Sequence, residues 1–319
     1  MQPDVSFVIA AYNAEQTIAR AVESALAQEK VSVEIIVVDD ASADATIERV
    51  RAIADHRIVL VEKRVNGGPG AARNAGFALA RGRYLAVLDA DDTVAPGRSA
   101  RLLARAEDAG AQIVLDDLLV IDERGAPPSS RPMFGRERLE AQPTVTLSSF
   151  IAGNLMFDAE FSLGYLKPVF AREFMRAHAI VYDEGLRIGE DYLLVADALA
   201  HGARCVIEPE PGYGYHLVDG SVSRVLKPQH VAAILEGDER FLSRHALDDE
   251  AKAAQARRTR SLREAATFLD IVAHLKARSA HRAVQAAFSD PAAIRLLKMP
   301  IMARLRRLAG RRSAMAADG

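Results

Sequence analysis

The run Tyr84-Leu-Ala-Val-Leu-Asp89-Ala-Asp91-Asp92 sets three carboxylates directly behind a short apolar segment. A buried strand tolerates no unpaired charge, so these acids must emerge where the strand ends. In an open α/β sheet the C-terminal strand ends are where ligands bind. Residues i and i+2 of an extended segment point to the same side. Asp89 and Asp91 can therefore share one divalent cation, and a cation held there can hold a diphosphate. A second acidic pair, Asp39-Asp40, follows the strand-like run Val33–Val38. A third, Glu190-Asp191, opens the segment Tyr192–Ala200. A carboxylate within reach of a sugar hydroxyl can take its proton. Each pair alone has a plainer reading, because acids at strand ends often cap the next helix and favour its dipole.

The elements that must position these groups alternate through the first third of the chain. Val5–Ala11, Val33–Val38, Ile58–Val61, Tyr84–Leu88 and Gln112–Ile121 read as strands. Ala14–Gln28, Ala43–Ala54, Ala71–Ala80 and Pro96–Ala109 carry helical periodicity between them, with Ser42 or Asp44 as a candidate N-cap. Strict alternation with near-continuous apolar strands predicts an α/β fold with a parallel, doubly wound sheet. That arrangement brings Tyr12-Asn13, Asp39-Asp40, the Gly-rich turn Asn66–Gly70 with Arg73, and Asp89–Asp92 to one sheet edge. The turn is not a P-loop, since no Gly-Lys-Ser/Thr follows, and its place after the third strand excludes a dinucleotide fingerprint. Residues 123–142, rich in Pro, Ser, Gly and Arg, predict an exposed connection, and punctuation dominates from Val145 to Val225. From Pro228 the pattern is mostly helical. The expected organisation is a nucleotide-binding α/β part (1–122), an acceptor-binding and base-bearing part of the same domain (123–225), and a helical C-terminal region (226–319).

The bulk composition sets boundaries. The chain has 319 residues, 50% hydrophobic and 26% charged, with a formal net charge of −2. This suits a globular protein and gives no general reason to expect nucleic-acid binding. A single cysteine, Cys205, leaves no intrachain disulfide to form and points to a cytoplasmic protein. No run reaches the roughly 18 apolar residues of a membrane span. Toward the C-terminus, Ile294, Leu297, Ile301, Leu305 and Leu308 fall on one helical face among Arg295, Lys298, Arg304, Arg306, Arg307, Arg311 and Arg312. Such a basic amphipathic segment predicts peripheral contact with an anionic membrane surface, with a surface helix packed on the protein as the simpler alternative.

The runs "VSFVIAAYNAEQTIARAVESALAQ", "VEIIVVDDASADAT", "NGGPGAARNAGFALARGRYLAVLDADD", "FDAEFSLGYLKPVFAREFM" and "YDEGLRIGEDYLLVADAL" resemble, in order and spacing, the family 2 glycosyltransferases of the GT-A fold. The resemblance covers roughly residues 4–225 and extends to bacterial exopolysaccharide enzymes of the succinoglycan type. It implies a Rossmann-like, mostly parallel mixed sheet flanked by helices. It also implies roles. Ala10, Ala11, Tyr12, Asn13 and Asp40, with Asp39 beside them, cradle the uracil of a UDP-sugar. Arg73 lies near the base or diphosphate, and Asp89 with Ala90 contacts ribose or sugar. Asp91 coordinates Mg²⁺ or Mn²⁺, Asp191 is the general base and Glu190 is its neighbour. His216 completes the metal shell or contacts phosphate, where a plain loop histidine is the alternative. Ser221 and Ser223 could bond phosphate or make a turn, and Lys167 could touch acceptor or phosphate or stay in solvent. Ala10 departs from the family's usual proline, a change that backbone contacts to uracil tolerate.

The expected function is an inverting, metal-dependent transfer of a hexose from a UDP-sugar to a hydroxyl of a growing, lipid-linked glycan. Two alternatives stand beside it. A sugar-nucleotide pyrophosphorylase would need a triphosphate loop after the first strand, where this chain has Ala10-Ala-Tyr-Asn13. A non-catalytic nucleotide- or glycan-binding module would have no need of Asp191.

Overall fold

The computed structural model describes residues 2–124, 128–158, 162–217 and 226–298. Its strands are β1 (Val5–Ala11), β2 (Val33–Asp39), β3 (Ile58–Glu62), β4 (Tyr84–Val87), β5 (Thr93–Val94), β6 (Ile113–Asp122), β7 (Ser129–Pro132), β8 (Thr144–Val145), β9 (Val169–Ala171) and β10 (Cys205–His216). They form one sheet in the order β3-β2-β1-β4-β9-β6-β10-β5, with β7 paired to β6 and β8 to β10. The left half, β3-β2-β1-β4, is parallel, as alternation predicts.

The right half departs from the parallel sheet that alternation alone predicts and has the mixed character that the resemblance implies. β9 inserts between β4 and β6, antiparallel to both. β5, β7 and β8 are antiparallel as well. The result is a mixed, mostly parallel sheet flanked by helices. β9 spans three residues, too short to carry a period-2 signature, and it was hidden in the stretch read as irregular. Its orientation has a functional consequence. An antiparallel strand begins beside the end of its neighbour, so Lys167, two residues before β9, arrives next to Asp89, two residues after β4.

The helices are shorter than periodicity suggests. Ile18–Leu26 follows a turn from Ala14, and Thr46–Arg51 begins where Asp44 accepts from the backbone N of Thr46 at 3.0 Å. Residues 128–142 are more ordered than composition implies, containing β7 and the short helix Arg136–Glu140. Glu34 lies inside the run read as apolar, on a strand buried throughout. Its carboxylate accepts from Ser6 Oγ at 2.6 Å and from the backbone N of Arg81 at 2.6 Å and Gly82 at 3.1 Å. These bonds offset the desolvation of a buried acid.

The C-terminal region packs against the α/β part through Pro228–Arg244 and Asp249–Lys276. Arg258 donates to the carbonyl of Asn154 at 2.7 Å and stacks 3.5 Å from the centroid of Tyr192. Beyond it, Phe268, Ile271, Ala283, Ala293 and Leu296 form a small core of their own. Pro291–Leu297 is a 3₁₀ segment that buries Ala293 and Leu296 and exposes Ile294. Ile294 and Leu297, three residues apart in the 3₁₀ segment, share a face opposite Ala293 and Leu296, Ile294 exposed and Leu297 partly buried. The continuation of the expected stripe, Ile301 to Leu308 with the arginines 304–312, lies outside the described residues, as do Ser221 and Ser223.

Candidate active site

Each chemical group sits where a strand stops. The loop after β1 carries Tyr12 and Asn13, and that after β2 carries Asp39 and Asp40. The loops are tied together. Asn13, at a positive φ of 50° that asparagine tolerates, accepts from the backbone N of Ala43 at 2.9 Å, while its own N–H donates to Ser42 Oγ at 2.9 Å. Asp40 receives Lys63 Nζ at 2.6 Å, the N–H of Gly67 at 3.0 Å and that of Gly68 at 2.7 Å. Burial works against its ionisation, but these bonds prevail and hold the carboxyl below its ordinary value. The glycine turn thus wraps Asp40, the acid that the family resemblance implies for uracil.

The centre is a charge network across the end of β4. Arg73, on the buried face of the helix Pro69–Leu79, donates to Asp89 at 2.7 Å, Glu190 at 2.8 Å and Asp191 at 3.1 Å. Lys167 bridges Asp89 at 2.9 Å and Asp191 at 2.8 Å. Tyr182 adds a hydroxyl to Asp191 at 3.1 Å. Asp191 and Glu190 begin the helix Glu190–Ala200, whose N-cap, Gly189, holds φ at +88°, where a side chain would be strained. Burial opposes charge on Asp191, yet Arg73 and Lys167 outweigh it and keep its pKa below the ordinary value. Asp89 is pulled down more strongly, by Lys167 and Arg73 against burial. Glu190 goes the other way, raised by burial and by the charge of Asp191. Within this pair Asp191 is the more acidic member.

Asp91 and Asp92 diverge in role. Asp92 is buried and accepts from Tyr213 Oη at 2.8 Å and from the backbone N of His216 at 2.9 Å. Tyr213 Oη also accepts from the N–H of Asp89 at 3.0 Å, which fixes the acidic loop to β10. Asp91 faces the cavity, and its backbone carbonyl accepts from Arg20 at 3.0 Å. Burial, then the charge of Asp89, raises Asp91; burial, then Asp89 and Asp91, raises Asp92. Asp89 is already paired by Arg73 and Lys167, whereas Asp91 presents its carboxyl to the cavity with no ion pair among the described residues. A hard divalent cation with oxygen ligands suits that donor set.

These residues floor a cavity of about 990 Å³. Ala10, Ala11, Tyr12, Asn13, Asp40, Arg73, Asp89, Ala90, Asp91, Glu190 and Asp191 all line it. Tyr12 is 53% exposed, a flat ring free to stack on a base. Two expected residues stand apart from the wall. Asp39 is buried and accepts from the backbone N of Ser42 at 2.9 Å, so it shapes the loop that presents Asp40. His216 has both ring nitrogens engaged, by Thr93 Oγ1 at 3.0 Å and Glu123 Oε1 at 3.1 Å. Its pKa is lowered by burial and by Arg20.

Other contributors were not singled out from sequence, or were left as ordinary surface groups. Lys167 read as a lysine that could equally sit in solvent, and it is central. Tyr182, Tyr213 and Arg258 carried no local motif. The far wall is apolar, with Leu155, Met156, Phe157, Leu226 and Ile234. It comes from the helical region and the preceding irregular stretch.

A mixed sheet of this path, with an acid cluster at the end of β4 and a paired acid opening a helix opposite it, defines a GT-A glycosyltransferase. The family model described as Glycosyl transferase family 2 matches residues 6–174, and the chain belongs to that family. It is 53% identical over 309 residues to the succinoglycan biosynthesis protein ExoO of Rhizobium meliloti (strain 1021), covering 97% of this chain and 88% of ExoO. Among solved structures, S. aureus TarS 1–349 in complex with UDP-GlcNAc aligns with TM-score 0.64 at 18% identity, over 89% of this chain and 90% of that one. The mannosyltransferase PcManGT from Pyrobaculum calidifontis, in complex with GDP-Man and Mn²⁺, aligns with TM-score 0.60 at 18% identity, over 96% and 81%. At that identity the two structures speak for the fold.

Proposed function

We propose that this enzyme is an inverting, metal-dependent hexosyltransferase that uses a UDP-sugar and extends a lipid-linked glycan in exopolysaccharide synthesis of the succinoglycan type. The observation that carries the reading is Asp191, held ionised across the cavity floor from Asp89 by Arg73 and Lys167. The pairing of a proton acceptor with a donor-site acid is what single displacement at an anomeric carbon requires.

In this reading Asp40 orients the base, since an ionised carboxylate accepts strongly from the uracil N3–H. Tyr12 stacks on its face. Asp89 holds ribose or sugar hydroxyls. Asp191 accepts the proton of the attacking hydroxyl, and Lys167 and Arg73 stabilise charge on either side of the reacting bond. Asp91 would hold a divalent cation, whose charge would offset that of the diphosphate. His216 would join as a ligand only by releasing Thr93 or Glu123, so its first role is to brace Asp92. The donor complex of TarS and the Mn²⁺ complex of PcManGT support the donor class and the cation. The apolar far wall supports an acceptor with a lipid carrier. Among the described residues no helix is long and apolar enough to cross a membrane. We place the enzyme at the cytoplasmic face as a peripheral protein.

The test is a panel of nucleotide sugars with Mn²⁺ or Mg²⁺, scored for slow donor hydrolysis without acceptor. One UDP-sugar should be hydrolysed, and Asp91→Ala should abolish the metal dependence of UDP binding. UDP binding with no turnover of any donor, with or without glycan acceptors, would favour the non-catalytic binding module instead.

A further inference from the structure

Away from the active site, the C-terminal end of the helix Glu190–Ala200 meets the end of Pro228–Arg244. Asp197, His201 and His245 bring one carboxylate oxygen and two imidazole nitrogens within 4.8 Å of one another. We propose that these three side chains bind a zinc ion that clasps the helical region to the helix carrying Asp191.

The donor set is two nitrogens and one oxygen, the mixture borderline divalent ions such as zinc prefer. The ligands come from two segments distant in sequence, so the ion would join elements that the chain itself does not. His245 Nε2 already points at Asp197 Oδ1, and the pair is almost fully buried. His201 sets Nδ1 against the backbone carbonyl of Asp197 at 2.9 Å. The same nitrogen lies 3.9 Å from Asp197 Oδ1, so in binding the ion it would exchange that carbonyl for the metal. Ligands around zinc at about 2.0–2.1 Å sit roughly 3.3 Å apart, so Asp197 and His245, now 2.5 Å apart, must part slightly while His201, 3.9 Å from Asp197, closes on them. His201 is the member able to move, with its side chain 30% exposed, and it also gives the ion its way in. The surroundings are aromatic: the ring of Phe241 lies 4.9 Å from His245, and that of His178 lies 4.9 Å from His201. A fourth position is left for water.

The consequence reaches the active site mechanically. Asp191 opens the helix that Asp197 and His201 close, and Ile234 of the clasped helix lines the cavity. Zinc would therefore stiffen the wall between donor and acceptor sides without touching substrate.

The experiment uses untagged full-length protein, since an affinity histidine tag would bind zinc itself. Protein carrying Asp91→Ala, which weakens the donor-site acids, is equilibrated with Zn²⁺, desalted and analysed for bound metal. The same is done after adding His201→Gln, which removes the most exposed ligand and leaves the buried Asp197–His245 pair in place. The expected result is one zinc per chain lost with His201→Gln. Cobalt substitution should give the intense visible bands of a four-coordinate site, absent from the His201→Gln protein. Added zinc should raise the melting temperature only where His201 is present. No retained zinc in the parent, or equal zinc in both proteins, would overturn the proposal and leave a hydrogen-bonded Asp–His pair.

Discussion

Asp191 shows what a residue owes to its neighbours. As a free carboxylate it would be a modest base beside a helix start. Arg73 and Lys167 hold its carboxyl below the ordinary carboxylate value, against burial. Asp191→Asn keeps the shape but cannot take a proton. Transfer should fall by roughly 10²–10⁴-fold while UDP affinity, measured by calorimetry, stays near that of the parent. Near-normal turnover would move the role to Glu190. Lys167 makes a second prediction with a definite sign. Its ammonium lowers the pKa of Asp191, so Lys167→Met should raise it and shift the acidic limb of the kcat/KM profile to higher pH. A limb left in place would detach Lys167 from the base. Asp40, Asp89 and Asp191 were readable from sequence because each stands in a local pattern, an acid at the end of an apolar run or the start of a helix. Lys167 was not, because what makes it central is a strand pairing. A lysine in a Leu-Lys-Pro run looks like any other until β9 lies down beside β4.

At the scale of elements, the helix Arg98–Ala109 is fastened to the sheet by a charge pair with no solvent contact. Arg98 donates to both oxygens of Asp116 on β6, at 2.8 and 2.7 Å, and also reaches the backbone carbonyl of Lys167. Burial raises the pKa of Asp116 despite Arg98, a sign of how costly the site is for charge. Breaking such a pair on one side costs about 3–5 kcal/mol, whereas an apolar replacement of both partners is often near neutral. Arg98→Met should lower stability by that amount in urea titration, and Arg98→Met with Asp116→Leu should recover much of it. The double variant should still show reduced kcat, because the main chain of Lys167 has lost its anchor. Full activity in the double variant would make the pair purely structural. β9 and β10 mark the limit of sequence reading at this scale. β9 is three residues long, and β10 carries Pro209, Pro211 and Gly212, which look like loop punctuation. They lie instead where the pairing of β10 with β6 slips, between Glu208 and Tyr213.

At the scale of the molecule, the helical region is part of the active site. Arg258, Ile234 and Leu226 line the cavity, so in the proposed reaction the space open to an acceptor is shaped by the helices as well as by the α/β part. The same region exposes Leu275, Val284 and Phe288, the last 79% exposed, beside Lys276, Arg278 and Arg282. Beyond it the sequence continues with Arg304, Arg306, Arg307, Arg311 and Arg312. Cationic residues near an anionic leaflet contribute about 1 kcal/mol each, screened by salt, and apolar side chains add a part that salt leaves alone. Truncation after Lys298 keeps Ala293 and Leu296 in their small core. It should weaken binding to anionic vesicles while sparing donor hydrolysis, because every proposed donor-site residue lies at or before His216. Binding by the full-length protein should fall, but not vanish, in high salt. Unchanged vesicle binding after truncation would limit the contact to the exposed face of the described helices.

The sequence by itself determined the fold class, the parallel left half of the sheet and the row of groups at its edge. The reason is that hydrophobic periodicity and strand-end acids are local properties, readable within a dozen residues. Tertiary structure alone decided which acids face the cavity and which brace the loop. Asp39 and Asp92 differ from Asp40 and Asp91 by one position each, and only the direction of the turn separates a cavity wall from an internal hydrogen bond. It alone brought Lys167, Tyr182 and Arg258 to the site, and Asp197 to the two histidines, since those meetings depend on how distant segments pair and pack. A charge network is a property of distances, and distances between residues a hundred positions apart are set by the fold.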